Sequence, residues 1–117
     1  MSTIRPTRGE IWYVNLDPTV GREQAKKRPC LVISNTSFNK SLAYLTIIVP
    51  LTSKNKNNPF HVPVHPPEGG LVTTSFILCE QIRTVSIERF SGQPLGSIYT
   101  KTMQIVEYTL KTILDFY

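Results

Sequence analysis

The stretch GREQAKKRPCLVISN, from Gly21 to Asn35, packs Arg22, Lys26, Lys27 and Arg28 into seven residues and then turns at once into an apolar run. A solvated loop has no need of such density, whereas a loop that grips phosphate does. A guanidinium at a strand end is well suited to this, because its forked donors match two phosphate oxygens. Its pKa, above about 12, makes it a poor general base. A threonine hydroxyl nearby can donate one more hydrogen bond to the same group. Arg28 and Thr52 fit this description, since each lies at one end of an apolar run and beside a basic loop. Such a pair suits a substrate that brings its own nucleophile. In RNA that nucleophile is the 2′-OH, and the protein keeps three tasks. It must hold 2′-O, P and 5′-O in line, stabilise the charge building on the phosphorane oxygens, and help protonate the 5′-oxygen that leaves.

Other chemistries find less support. His61 and His65 stand four apart in HVPVH. In a strand they share one face at about 13 Å, too far apart to flank one phosphate, so both read as edge-strand surface residues. Cys30 and Cys79 sit inside apolar stretches and read as buried free thiols. No tight ligand spacing unites them with the histidines into a zinc site. No GxSxG, Walker or GxGxxG pattern occurs. Aspartates number only two, Asp17 and Asp115, too few for an acidic magnesium cluster.

The charge distribution narrows the partner. Of the net +5, residues 1–21 contribute zero, residues 22–56 contribute +6 (seven basic groups against Glu23) and residues 57–117 contribute −1. A field focused in one third of the chain suits a polyanion, nucleic acid first, although a solvated basic face would look the same. Phe60, beside the second basic loop, is the candidate for stacking a base. The 117 residues suit one domain, 1–117, with enough apolar content for a core without disulfides. There is neither a membrane-length apolar run nor a signal-like N-terminus, so a cytoplasmic protein without membrane contact is expected.

The elements that must position these residues read mostly as strands. RGEIWYVNL (Arg8–Leu16), CLVIS (Cys30–Ser34) and AYLTIIVPL (Ala43–Leu51, closed by Pro50) are β-rich runs. DPTVGREQAKKRP is a long connection broken by Pro18 and Gly21, and NTSFNKSL is a polar turn. HVPVH is confined to an edge by Pro63, and PPEGG is a turn. SFILCEQIRTV (Ser75–Val85) reads as one strand, with Phe76, Leu78 and Glu80 on one face and Ile77, Cys79 and Gln81 on the other. Gly92, Pro94 and Gly96 interrupt the segment that follows. Met103, Val106, Leu110, Ile113 and Tyr117 then recur with helical period, and Thr100 or Thr102 could cap that helix. Trp12 reads as core or interface. Short strands plus one terminal helix suggest an α+β fold, mainly β: a small, bent antiparallel barrel with a C-terminal helix packed on it.

With RGEIWYVNLDPTVGREQAKKRPCLVIS, IIVPLTS and GLVTTSFILCEQIRTVSIERF in that order, nearly the whole chain resembles the MazF/PemK/Kid toxins of bacterial toxin–antitoxin systems. The resemblance implies an SH3-like barrel with a C-terminal helix, a homodimer, and a metal-independent endoribonuclease without cofactor. Such an enzyme cuts single-stranded RNA, mostly mRNA, at short motifs and leaves a 2′,3′-cyclic phosphate and a 5′-hydroxyl. It also implies a cognate antitoxin with an acidic tail. By position, the arginine of the family's RP pair falls on Arg28 and the threonine after the middle strand on Thr52, as catalytic residues. Two acidic–Gln pairs fall on Glu23 with Gln24 and on Glu80 with Gln81, as RNA-positioning groups, beside Lys26, Lys27 and Phe60. The aspartate or histidine that some members use has no clear match. The loops AKK and SKNKNN follow no fixed family pattern, which leaves the cleavage motif open. Similar toxins of this fold poison DNA gyrase without cutting, and a non-catalytic RNA-binding barrel fits the charge map equally well.

Overall fold

In the computed structural model of the chain, residues 4–116 are described. Among the described residues seven strands occur, in the order β1 (Glu10–Asn15), β2 (Lys27–Val32), β3 (Leu45–Thr52), β4 (His61–Val64), β5 (Ser75–Leu78), β6 (Arg83–Ser86) and β7 (Phe90–Ser97). A one-turn helix α1 (Thr36–Asn39) lies between β2 and β3, and α2 (Thr100–Leu114) follows β7. All pairings are antiparallel, in the order β4-β5-β3-β2-β1-β7, with β6 also on β3. β4 and β7 end that order without meeting, so the sheet is not closed and an SH3-like barrel describes it only loosely.

The two-residue period divides the apolar side chains between two cores. Ile11, Leu31, Val49 and Leu51 enter one, with Val62, Ile77 and Cys79. Trp12, Val14, Cys30, Val32 and Ile48 point the other way and meet Val85 and Phe90. The Trp12 and Phe90 rings pack edge to face at 5.6 Å. Each fully buried Ile, Leu or Val contributes about 1.5–3 kcal/mol. The apolar stripe of α2 caps the first core: Val106 is fully buried, and Met103, Leu110 and Ile113 pack beside it. Tyr117, the last member of the expected stripe, lies outside the described residues.

The structure corrects several expectations. Ser75–Val85 is two strands, because β3 carries two partners on one edge. Leu45–Ile48 pair with β6, while Leu51 and Thr52 pair with β5. The chain turns between them, with the Cys79 N–H bonded to the Ile77 carbonyl and the Gln81 N–H to the Leu78 carbonyl. Glu80 and Gln81 therefore sit on a turn and not on opposite faces of a strand. Pro50 does not close β3; it pairs with Cys30, and the strand continues to Thr52. Gly92, Pro94 and Gly96 lie within β7, which absorbs them through a register shift against β1 between Ile11 and Tyr13. The polar turn NTSFNKSL contains α1, capped by the Asn35 side chain, which accepts from the Phe38 N–H at 2.8 Å.

Neither threonine caps α2. Tyr99 holds the N-cap position without a side-chain bond, and its N–H donates to the buried Glu68 carboxylate at 2.9 Å. Glu68 opens a 3₁₀ turn, Glu68–Gly70, that presses on β7. At Gly70 (φ +71°) a Cβ would fall 1.8 Å from the Leu95 carbonyl oxygen, so only glycine fits. This contact fixes where the following loop, 71–74, stands. Among the described residues no helix is long and apolar enough to cross a membrane.

Candidate functional site

Because β2 and β3 are antiparallel neighbours, the loop entering β2 and the loop leaving β3 emerge at the same end of the sheet. The register between them ends with Cys30 across from Pro50, and Arg28 and Thr52 lie two residues beyond that pair on their strands. Both line one cavity of about 270 Å³. Tyr13, Pro29, Ser53 and the loop of Leu71, Val72 and Thr73 complete the lining. The half-buried Arg28 is oriented from behind, since its Nε donates to the Ala25 carbonyl at 2.8 Å. That leaves the terminal nitrogens of the fork for a ligand. Thr52 is buried, and its Oγ1 accepts from the Lys54 N–H at 3.2 Å. Its own hydroxyl proton remains available to donate. This arrangement offers an oxyanion a forked cation and a hydroxyl from adjacent strands.

A second cavity, of about 500 Å³, is lined by Arg22, Glu23, Gln24, Glu80, Gln81, Ile82 and Arg83. The fold thus brings together both acidic–Gln pairs, which lie more than fifty residues apart in the chain. The link is direct: the Gln24 N–H donates to Gln81 Oε1 at 2.8 Å. The Gln81 amide is thereby oriented, and its NH₂ is left to donate outward. Glu23 folds back within its own loop, where Oε1 accepts from the Val20 N–H at 2.6 Å.

The stem of the basic loop is fastened. The Leu16 N–H donates to the Lys26 carbonyl at 2.9 Å, and the Lys26 N–H to Asp17 Oδ1 at 3.0 Å. Arg83 donates to the Leu16 carbonyl at 2.6 Å, and Arg89 to the carbonyls of Asn15 and Asp17 at 3.0 and 2.5 Å. Arg22, Lys26, Lys27, Lys54 and Lys56 are exposed on the two loops and the start of β2. Of the seven basic groups in 22–56, only Lys40 stands apart, beyond α1. Phe60 is exposed on the second loop and lines neither cavity.

His61 departs from the surface role expected of it. Its side chain is 4% exposed, and Nε2 meets Glu80 Oε2 at 2.9 Å. Its Nδ1 is buried without a partner among the described residues. The turn after β5 folds Glu80 over the end of β4, and the alternation of HVPVH carries no trace of that turn. His65 does stay exposed, with Nδ1 3.3 Å from Thr74 Oγ1.

Both cysteines are fully buried and free. Burial pushes each thiol up to about 12, against the lowering influence of Arg28 and Arg83 at Cys30 and with the help of the Glu80 charge at Cys79. Neither can act as a thiolate nucleophile at neutral pH. Reasoning from the sequence missed Tyr13, Ser53, Thr73 and Ser75 as cavity residues. For Tyr13 a signal was present: it alternates with the buried Trp12 and Val14, so it had to face the other way.

Comparison with known proteins gives a consistent result. A profile of the PemK-like, MazF-like toxins of type II toxin–antitoxin systems matches residues 7–114. Among curated proteins, the chain is similar to Endoribonuclease PemK of Escherichia coli, 37% identical over 108 residues that cover 92% of this chain and 80% of that protein. It is also similar to Endoribonuclease MazF9 of Mycobacterium tuberculosis, 35% identical over 115 residues that cover 94% and 97% of the two chains. Among solved structures, MazF (Form-I) from Deinococcus radiodurans superposes with a TM-score of 0.86 at 25% identity, covering 97% of this chain and 99% of that one. A mycobacterial endoribonuclease in complex with its cognate antitoxin shares the fold, with a TM-score of 0.75 at 24% identity over 97% and 96% of the two chains.

Proposed function

Since the chain belongs to the PemK-like, MazF-like toxins of type II toxin–antitoxin systems and is by that kinship an endoribonuclease toxin, we propose that it cuts single-stranded RNA, mRNA foremost, using the substrate's own 2′-OH. The observation that carries this reading is that Arg28 and Thr52, on adjacent strands, line one cavity. The 2′-oxygen attacks phosphorus and its proton passes to solvent. A new O2′–P bond forms as the P–O5′ bond breaks, and the departing 5′-oxygen takes a proton from solvent. The products are a 2′,3′-cyclic phosphate and a 5′-hydroxyl. The terminal nitrogens of Arg28 and the Thr52 hydroxyl hold the equatorial oxygens as charge develops on them. No metal or cofactor is required by this route, since the nucleophile comes from the RNA and the charge is met by Arg28.

Lys26 and Lys27 draw in the backbone. Glu23, Gln24, Glu80 and Gln81, gathered on the second cavity, position bases on one side of the cut. On this reading the whole chain, 1–117, is one toxin domain that acts in the cytoplasm as a homodimer. Its cognate antitoxin lays an acidic tail along the same basic surface. A long RNA incubated with the purified protein under EDTA, then mapped for new 5′-hydroxyl ends, tests the proposal. Discrete 5′-hydroxyl ends at short motifs are expected. An RNA left intact, or ends carrying 5′-phosphate, would overturn it.

A further inference from the structure

Resting on that reading, we infer that Tyr13 is the platform on which the base next to the cut is stacked, in the same cavity that holds Arg28 and Thr52. Four observations converge. Tyr13 is 42% exposed, although it sits in the middle of β1 between the buried Trp12 and Val14. It pairs across the ladder with Pro29, and it lines the same cavity as Arg28, the guanidinium that would hold the phosphate. The cavity has apolar lining from Leu51, Leu71 and Leu95, and Thr73 adds a hydroxyl-bearing side chain to it. Its volume, about 270 Å³, lies just under the roughly 300 Å³ at which pockets for drug-sized ligands begin. One unstacked base fits such a space.

The occupant follows from this combination. A flat ring system needs one aromatic face, an apolar lining and a few polar atoms at its edge, and single-stranded RNA is bound in this way. Splaying one base against Tyr13 would also rotate the ribose away from helical geometry, as in-line attack requires. The site therefore demands an unpaired nucleotide at the cut, and it moves the stacking role from Phe60, which lines neither cavity, to Tyr13.

The test is a double cycle on short RNAs containing one cleavage site. In each RNA, one nucleotide near the cut is replaced by a ribose without a base, which keeps the 2′-OH. With the wild-type protein, one position adjacent to the cut should lose about 5- to 150-fold in single-turnover rate, the range of one base–aromatic stack. Tyr13→Ala should lose a similar factor on the complete RNA and nothing further on the RNA lacking that base. Tyr13→Phe should keep the wild-type rate. Should Tyr13→Ala fail to fold, 2-aminopurine at that position, in an RNA made uncleavable by a 2′-deoxy substitution, reports directly on the wild-type protein. Quenched fluorescence on binding supports stacking. Penalties that multiply at every position, or fluorescence that does not change, would overturn the role of Tyr13 while leaving the nuclease reading intact. An RNA that the wild-type protein does not cut at all would instead remove that reading, and with it this inference.

Discussion

Replacing Arg28 by alanine isolates the charge clamp from the fold around it. The side chain is half-buried and makes one internal hydrogen bond, from Nε to the Ala25 carbonyl. Truncation leaves that carbonyl at a loop that water can reach, so the cost in stability should be about 1 kcal/mol or less. On the proposed mechanism the transition state loses far more, because the terminal nitrogens of the fork would be the donors for the phosphorane oxygens. Removal of one preorganised oxyanion donor costs about 2.7–4 kcal/mol, or roughly 10²- to 10³-fold in rate. Arg28→Lys should recover little of this, since a lysine has no Nε to anchor on Ala25 and no planar fork to present. The assay is single-turnover cleavage of a short RNA at saturating protein, with circular dichroism and thermal melting to confirm that the variants fold. A folded Arg28→Ala within tenfold of wild type, or full rescue by lysine, would refute the assignment.

Thr52→Val keeps the shape but removes both the hydroxyl donor and the acceptor for the Lys54 N–H. A rate loss of roughly 10²- to 10³-fold is expected for one lost preorganised donor, with Thr52→Ser close to wild type in the same assay. Removing Lys26 and Lys27 together should flatten the salt dependence of RNA binding by roughly one to two logarithmic units in slope, and an unchanged slope in fluorescence anisotropy would mean that the charges lie off the RNA path. Both thiols are raised from 9.0 to about 12 in the folded chain. The native protein should therefore resist a thiol reagent at pH 8, and the thiols' contribution to stability, complete below pH 9, should fade as the pH rises toward 12, because the unfolded chain releases protons that the folded one keeps. Labelling of the native protein at the rate seen in denaturant would contradict this. An acidic peptide derived from the antitoxin should compete with labelled RNA on the Arg28→Ala protein, and simultaneous binding would place the inhibitor on another surface.

The residues that made the site legible are those whose environment is written locally. Arg28 and Thr52 could be placed because each ends an apolar run beside a basic loop. Antiparallel neighbouring strands then bring those two ends together, and both residues line one cavity. The stripe on α2 was equally readable, since one face of a helix meets one core. What stayed hidden depended on a partner remote in the chain. The split of Ser75–Val85 arises because β3 accommodates two strands on one edge, and nothing within SFILCEQIRTV records that competition. The same turn carries Glu80 onto His61 and Gln81 onto Gln24, so the burial of His61 and the meeting of the two acidic–Gln pairs were invisible to local alternation. Glu68 was missed as the bond that holds the start of α2 for a similar reason: the partner of the Tyr99 N–H lies thirty-one residues away.

The most direct measurement concerns the substrate. A short RNA cut at one site is resynthesised with a single 2′-deoxynucleotide immediately 5′ of the cut, and binding and cleavage are measured side by side. If the RNA supplies its own nucleophile, binding should be essentially unchanged and cleavage should vanish, while the all-ribose RNA gives a fragment ending in a 2′,3′-cyclic phosphate. Cleavage of the deoxy-substituted RNA at a normal rate would show that water or a protein group attacks the phosphorus, and the mechanism built on Arg28 and Thr52 would have to be abandoned.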